Sequence, residues 1–151
     1  MKPALPSSDA FWILSSGYRD AGDAVLDRIR TENYRGHALF PCVFLYFRSI
    51  ELALKSVLTY HAIAEHEITR TLGHRVSGLI ERAENYSSLS ALGISAEDRS
   101  LLDQFSEDYS TKWFEYPDDI EKTYPDLETL RDLAHRVCDT IRTYERKKAQ
   151  P

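Results

Sequence analysis

The chain has 151 residues, with 24 Asp and Glu against 19 Lys and Arg for a formal net charge of −5, and 42% hydrophobic against 28% charged residues. That balance excludes disordered, collagen-like and disulfide-framework classes and describes one modest acidic globular domain spanning 1–151. Six Gly and six Pro amount to about 8% against a usual ~12%, which favours few long elements over many short strands.

Met1 to Pro6 is broken by two prolines, and the apolar run Ala10–Leu14 is too short for a secretory core, so a cytoplasmic location is expected. The longest apolar run, Ala38–Phe47, contains Pro41 and falls well short of the ~20 residues that span a bilayer, so no membrane association is expected. Cys42 and Cys138 have no CxxC-like neighbours and read as core thiols.

From about Ser8 to Arg30, Leu14, Tyr18, Ala21, Val25 and Ile29 recur at three- and four-residue steps and predict one long helix. Gly17 and Gly22 weaken its first half, so a late start or a kink is expected there. A second helix opens with Pro41 in its first turn, where the missing N–H costs nothing. Its stripe is Val43, Phe47, Ile50, Leu54, Val57 and His61, with Leu45 and Leu52 on the other side. Such a helix is either central in a bundle or lends its outer face to a second subunit, and a homodimer is the expectation drawn from it.

A third helix runs from about His74 to Glu84 with Val76, Leu79, Ile80 and Ala83 inward. Ser95 and Asp98 start the fourth in a relative of the capping box, followed by Leu101, Leu102, Phe105, Tyr109 and Trp113. Pro117 should end it. The fifth begins near Pro125 and carries the most regular stripe, Leu127, Leu130, Ala134, Val137, Ile141 and Tyr144. These five amphipathic stretches predict an all-α, antiparallel up-and-down bundle of about five main helices.

Eleven acidic residues against Arg99, Lys112 and Lys122 lie between Glu97 and Glu128, a segment that repels phosphate backbones. Any nucleic-acid surface is therefore expected on the second helix or at the basic end of the fifth, at Arg142, Arg146, Lys147 and Lys148.

Ser49-Ile50-Glu51-Leu52-Ala53-Leu54-Lys55-Ser56-Val57-Leu58, then Gly73-His74-Arg75-Val76, then Tyr116-Pro117-Asp118 follow one another in order. This succession resembles the higher eukaryotes and prokaryotes nucleotide-binding (HEPN) superfamily over about Tyr18 to Tyr144. Many of its members carry a Glu-aliphatic-Ala-Leu-Lys segment, a Gly-His pair opening the next helix, and a Tyr-Pro-Asp landmark. The resemblance implies a nucleotide-, RNA- or protein-binding module, possible placement in a toxin-antitoxin or defence system, a nucleotidyltransferase-like antitoxin as partner, and no cofactor. It also implies that Glu51, Lys55 and His74 line a ligand groove.

Active HEPN ribonucleases place four to six residues between an Arg and a His, which together handle the ribose hydroxyl and the phosphate without metal. Here Arg131-Asp132-Leu133-Ala134-His135 leaves three, which puts both side chains on one helical face. The alternative reading is an endoribonuclease using Arg131 and His135, whereas the residue pattern itself reads as a solvated polar face. Arg30 and His37 match the spacing formally, but thirteen arginines and five histidines produce about one such match by chance. Glu115 stands where the family usually has Arg before Tyr-Pro-Asp. The expectation is accordingly a non-catalytic module.

On residue pattern alone, Glu51 and Lys55 form an i to i+4 pair flanking the core, worth ~0.3–0.5 kcal/mol if exposed. His74 reads as a helix-start residue satisfying a free backbone group. His61, Glu65, His66 and Glu67 lack metal-ligand spacing, and Glu115, Asp118, Asp119 and Glu121 form no ordered ligand loop, so no metal is expected.

Overall fold

The structure, a computed structural model, describes residues 6–32, 39–114 and 123–151. Five α-helices carry the fold: α1 (Ser8–Thr31), α2 (Leu39–Tyr60), α3 (Val76–Glu84), α4 (Ala96–Ser110) and α5 (Leu127–Ala149). A π-helical segment, Glu67–Leu72, and a 3-10 turn, Ser90–Leu92, complete the chain, and no strand occurs among the described residues. Neither short element has a stripe long enough to read from sequence. None of these helices is long and apolar enough to cross a membrane.

Local chemistry sets the helix starts. Ser7 caps α1 through Ala10 N–H, Ser95 and Asp98 close a reciprocal capping box on α4, and Asp126 accepts from Thr129 N–H at the head of α5. Each of these satisfies donors that a helix N-terminus leaves open. Pro41 sits in the first turn of α2, as expected.

The partners Ser8–Ser56, Ser15–Ser49 and Gly22–Cys42 run in opposite directions, so α1 and α2 are antiparallel. The pairs Asp9–Arg142, Trp12–Cys138, Asp23–His135 and Arg30–Glu128 make α1 antiparallel to α5 as well. Ser77–Asp103 and Glu84–Arg99 pair α3 with α4 in the same sense. The second helix lies at the centre, buried continuously from Ser49 to Leu58.

Leu52 is 3% exposed, so it packs within the single chain. Leu45 remains half-buried. Both cysteines are fully buried and free, and burial pushes the Cys42 thiol up to about 12.

The inward face of α1 differs from the expected one. Phe11, Ser15, Gly22, Leu26 and Ile29 are buried, whereas Ile13 is 60% and Leu14 47% exposed. Two of the inward residues are small because α1 and α2 approach closely. Ser15 Oγ donates to the Ser49 carbonyl at 2.7 Å, and a Cβ on Gly22 would come within 2.8 Å of the Tyr46 ring. The same contact explains why Gly22 does not break the helix, which runs uninterrupted from Ser8 to Thr31. Packing against α2 outweighs the helix penalty of glycine.

Candidate functional site

The helical period sets Arg48, Glu51 and Lys55 on one side of α2, facing the turn before α3 and the end of α4. Glu51 is fully buried and Lys55 is 7% exposed, so this pair lies inside the protein and is not the surface pair its phase suggested. The carboxylate is held from several elements at once. Lys55 Nζ and Arg48 Nη1 donate to Oε1 at 2.6 and 2.8 Å, and the Tyr109 hydroxyl donates to Oε2.

His74 Nδ1 lies 3.1 and 3.2 Å from the two Glu51 oxygens. The same Nδ1 lies 3.1 Å from Arg48 Nη1, so the ring edge is wedged between the guanidinium and the carboxylate while Nε2 takes no part in these contacts. The imidazole therefore does not cap a helix: α3 begins at Val76 and has no side-chain cap. Gly73, in the left-handed region at φ 55°, turns the chain sharply between the π-helical segment and α3 and so delivers His74 to Glu51.

Burial alone would raise the Glu51 carboxyl. The His74 hydrogen bond and the charges of Lys55 and Arg48 outweigh it and lower the pKa to about 2. Burial also opposes the Arg48 charge, but Glu51 and Tyr109 more than offset it and raise the guanidinium further. The Tyr109 phenol is pushed up by burial and by the Glu51 charge beside it, so it stays a donor. Its ring stacks on Phe47 at 5.3 Å, which fixes the hydroxyl over Glu51.

Above this cluster lies a cavity of about 260 Å³ walled by Tyr18, Phe44, Arg48, His74, Tyr109 and Lys112. Lys112, exposed just beyond α4 in the left-handed region at φ 62°, makes no ion pair among the described residues. The wall thus combines three basic side chains with three aromatic rings and, among the described residues, carries no acidic one. Arg48 and His74 are braced by the carboxylate beneath them, so they are pre-positioned and not free to collapse into solvent. Such a wall suits an anion attached to a flat or apolar body.

The other expected pair is placed differently. His135 Nε2 lies 2.7 Å from Asp23 Oδ2 and Arg131 Nε lies 3.5 Å from Asp23 Oδ1, while the Tyr46 hydroxyl donates to Oδ1 at 2.7 Å. Arg131 and His135 therefore do not project freely from a solvated face. They turn onto Asp23 and, with Tyr46, tie α1, α2 and α5 together. Arg30 pairs with Glu128, and His37 lies outside the described residues. Glu115 and the Tyr116-Pro117-Asp118 landmark also lie outside them.

At the far end of α5, Arg142 is engaged by Asp9 and lies 4.6 Å over the Trp12 ring, while Arg146, Lys147 and Lys148 are exposed. His61 Nε2 is 2.8 Å from the Tyr144 hydroxyl and its ring stacks on Tyr86 at 4.5 Å. Among the described residues, no group of three or more His, Cys, Asp or Glu gathers in a way that could hold a metal ion.

Glu51, Lys55 and His74, which the resemblance joined, thus come together in space, whereas Arg131 and His135 gather on Asp23. Arg48, Tyr109 and Lys112 had not been singled out. For Arg48 a signal existed, because three residues before Glu51 is the same helical face. Tyr109 and Lys112 arrive from α4, and no local pattern announces them. No protein-family model, curated protein or solved structure matches this chain.

Proposed function

We propose that this chain is a non-catalytic, HEPN-like binding module whose ligand carries phosphate, a nucleotide or RNA, held in the cavity walled by Arg48, His74 and Lys112. The observation that carries this reading is the convergence of three basic and three aromatic side chains on one cavity, over a buried carboxylate that fixes Arg48 and His74. Phosphate oxygens take the charge-assisted donors, and a base or ribose lies against Phe44, Tyr18 and Tyr109. A protein partner would ask for a broader apolar surface than this cavity provides.

The resemblance sets such a module in a toxin-antitoxin or defence system, with a nucleotidyltransferase-like antitoxin as the partner to seek. Cleavage does not follow from the geometry. Arg131 and His135, the pair that would perform it, lean on Asp23 and are not among the residues that wall the basic and aromatic cavity.

Titration of the protein with adenosine monophosphate and with short single-stranded RNA, both in EDTA, tests the reading. Saturable binding that weakens with salt and is lost in Arg48→Gln is expected. Unaltered binding in that variant, with folding intact, would refute the site. RNA should also survive prolonged incubation with the protein in EDTA. Cleavage that disappears in an Arg131→Ala/His135→Ala variant of unchanged helical content would install the endoribonuclease instead.

A further inference from the structure

We infer that the cavity over Glu51 selects a terminal phosphate monoester, a free nucleotide or the phosphorylated end of a single RNA strand, and rejects the internal diesters of a chain passing by. The inference rests on the binding reading above and adds what the ligand must present.

Charge is the first argument. Among the described residues, Arg48, Lys55 and Lys112 stand against the one carboxylate of Glu51 at the cavity, an excess of two positive charges before His74 is counted. A phosphate monoester carries about −1.5 to −2 at neutral pH with three acceptor oxygens, whereas an internal diester carries one charge and two free oxygens. The monoester matches the charge and gives Arg48 and Lys112 an oxygen each, with its third oxygen beside His74. The diester leaves a cation and a donor unanswered, and an unanswered donor in a partly enclosed site is costly.

Size and origin of the walls supply the second argument. A cavity of about 260 Å³ lies below the ~300–1,000 Å³ of pockets that enclose whole drug-sized ligands, so it accepts one end group and not a run of nucleotides. Its floor is closed by Phe44 and Tyr109, whose rings lie 6.1 Å apart, and by the Glu51 cluster below. A strand is tolerated where it terminates in the cavity.

The test uses the full chain in EDTA and six-nucleotide single-stranded RNAs labelled at the end opposite the one varied, read by fluorescence anisotropy. One has a 5′-phosphate, one a 3′-phosphate and one hydroxyls at both ends. Adenosine monophosphate and adenosine serve as unlabelled competitors. The expected result is binding at least about tenfold tighter for a phosphorylated RNA than for the hydroxyl-ended one, the order set by one charge-assisted hydrogen bond. Competition by the monophosphate and not by adenosine is expected with it. Preference for one phosphorylated end identifies an RNA terminus as the ligand, while competition by the monophosphate with no RNA binding identifies the free nucleotide.

Lys112→Asn removes a cation at an exposed position whose left-handed backbone Asn accepts. It should abolish most of the preference while leaving the melting temperature unchanged. Equal binding of hydroxyl-ended and phosphorylated RNA, weakened alike by Lys112→Asn, would overturn the terminal-phosphate inference and leave the binding site standing. No binding of any RNA or of the monophosphate would overturn both. A preference that persists undiminished in Lys112→Asn and in His74→Gln would place the phosphate elsewhere and refute the inference.

Discussion

Replacing Glu51 with Gln removes one charge from the centre of the protein while keeping its shape. Lys55 and Arg48 then face a neutral amide in a place where Glu51 was fully buried and Lys55 only 7% exposed. A carboxyl lowered from its ordinary 4.5 to about 2 contributes about 3 kcal/mol of stability at neutral pH, which agrees with the ~3–5 kcal/mol cost of removing one partner of a buried pair. The sign is set by the direction of the shift. A depressed carboxyl stabilises fully above its unfolded value and loses that contribution as the pH falls through its folded one. Urea unfolding followed by the helical circular dichroism signal should therefore show wild type ahead of Glu51→Gln by about 3 kcal/mol at pH 7, with the gap closing to under about 1 kcal/mol by pH 2. The double variant Glu51→Gln/Lys55→Met should recover part of the loss, since it also removes the stranded ammonium. A gap that stays constant from pH 7 to pH 2, or one below about 1 kcal/mol at pH 7, would refute the account of Glu51 as a buried, multiply held carboxylate.

Glu145 tests the opposite sign. It is 5% exposed, accepts from Ser56 Oγ at 2.5 Å, and burial raises its pKa despite that bond, so it favours folding below its ordinary range and loses that advantage as the pH rises. Glu145→Gln should raise the melting temperature at pH 8 and not at pH 4; an equal gain at both would show that charge is not the cause. Gly22→Ala drives a Cβ to 2.8 Å from a Tyr46 ring that is anchored by Asp23, and should cost about 1–3 kcal/mol by overpacking in spite of alanine's preference for helix. A stabilised variant in urea titration would contradict the close α1–α2 approach. Arg131→Ala/His135→Ala removes two of the three partners of Asp23 and should cost about 1–2 kcal/mol, since both groups are only partly exposed. Wild-type stability in the double variant would mean that they stand in solvent after all.

What the linear chain determined was its helices. Pro41 marks the first turn of α2 and Ser95 with Asp98 the start of α4 by effects that reach only a few residues, and the caps that Ser7 and Asp126 add to α1 and α5 are equally local. The three- and four-residue spacing of Leu130, Ala134, Val137 and Ile141 likewise identifies the buried face of α5 without knowledge of its neighbours. Both are local effects, so a local reading recovers them. The same reading misjudged α1, because hydrophobicity marks Leu14 as inward and Ser15 as outward, whereas the distance between two helices rewards whichever face is small. It also misjudged Glu51. A carboxylate three and four residues from Arg48 and Lys55 looks like surface decoration until His74 and Tyr109 arrive from other elements to satisfy its remaining lone pairs. Asp23 meets His135 across a sequence separation of 112, and no periodicity encodes that meeting. Burying a charge costs free energy that only several partners together can offset, and which partners are present is decided by how the helices pack.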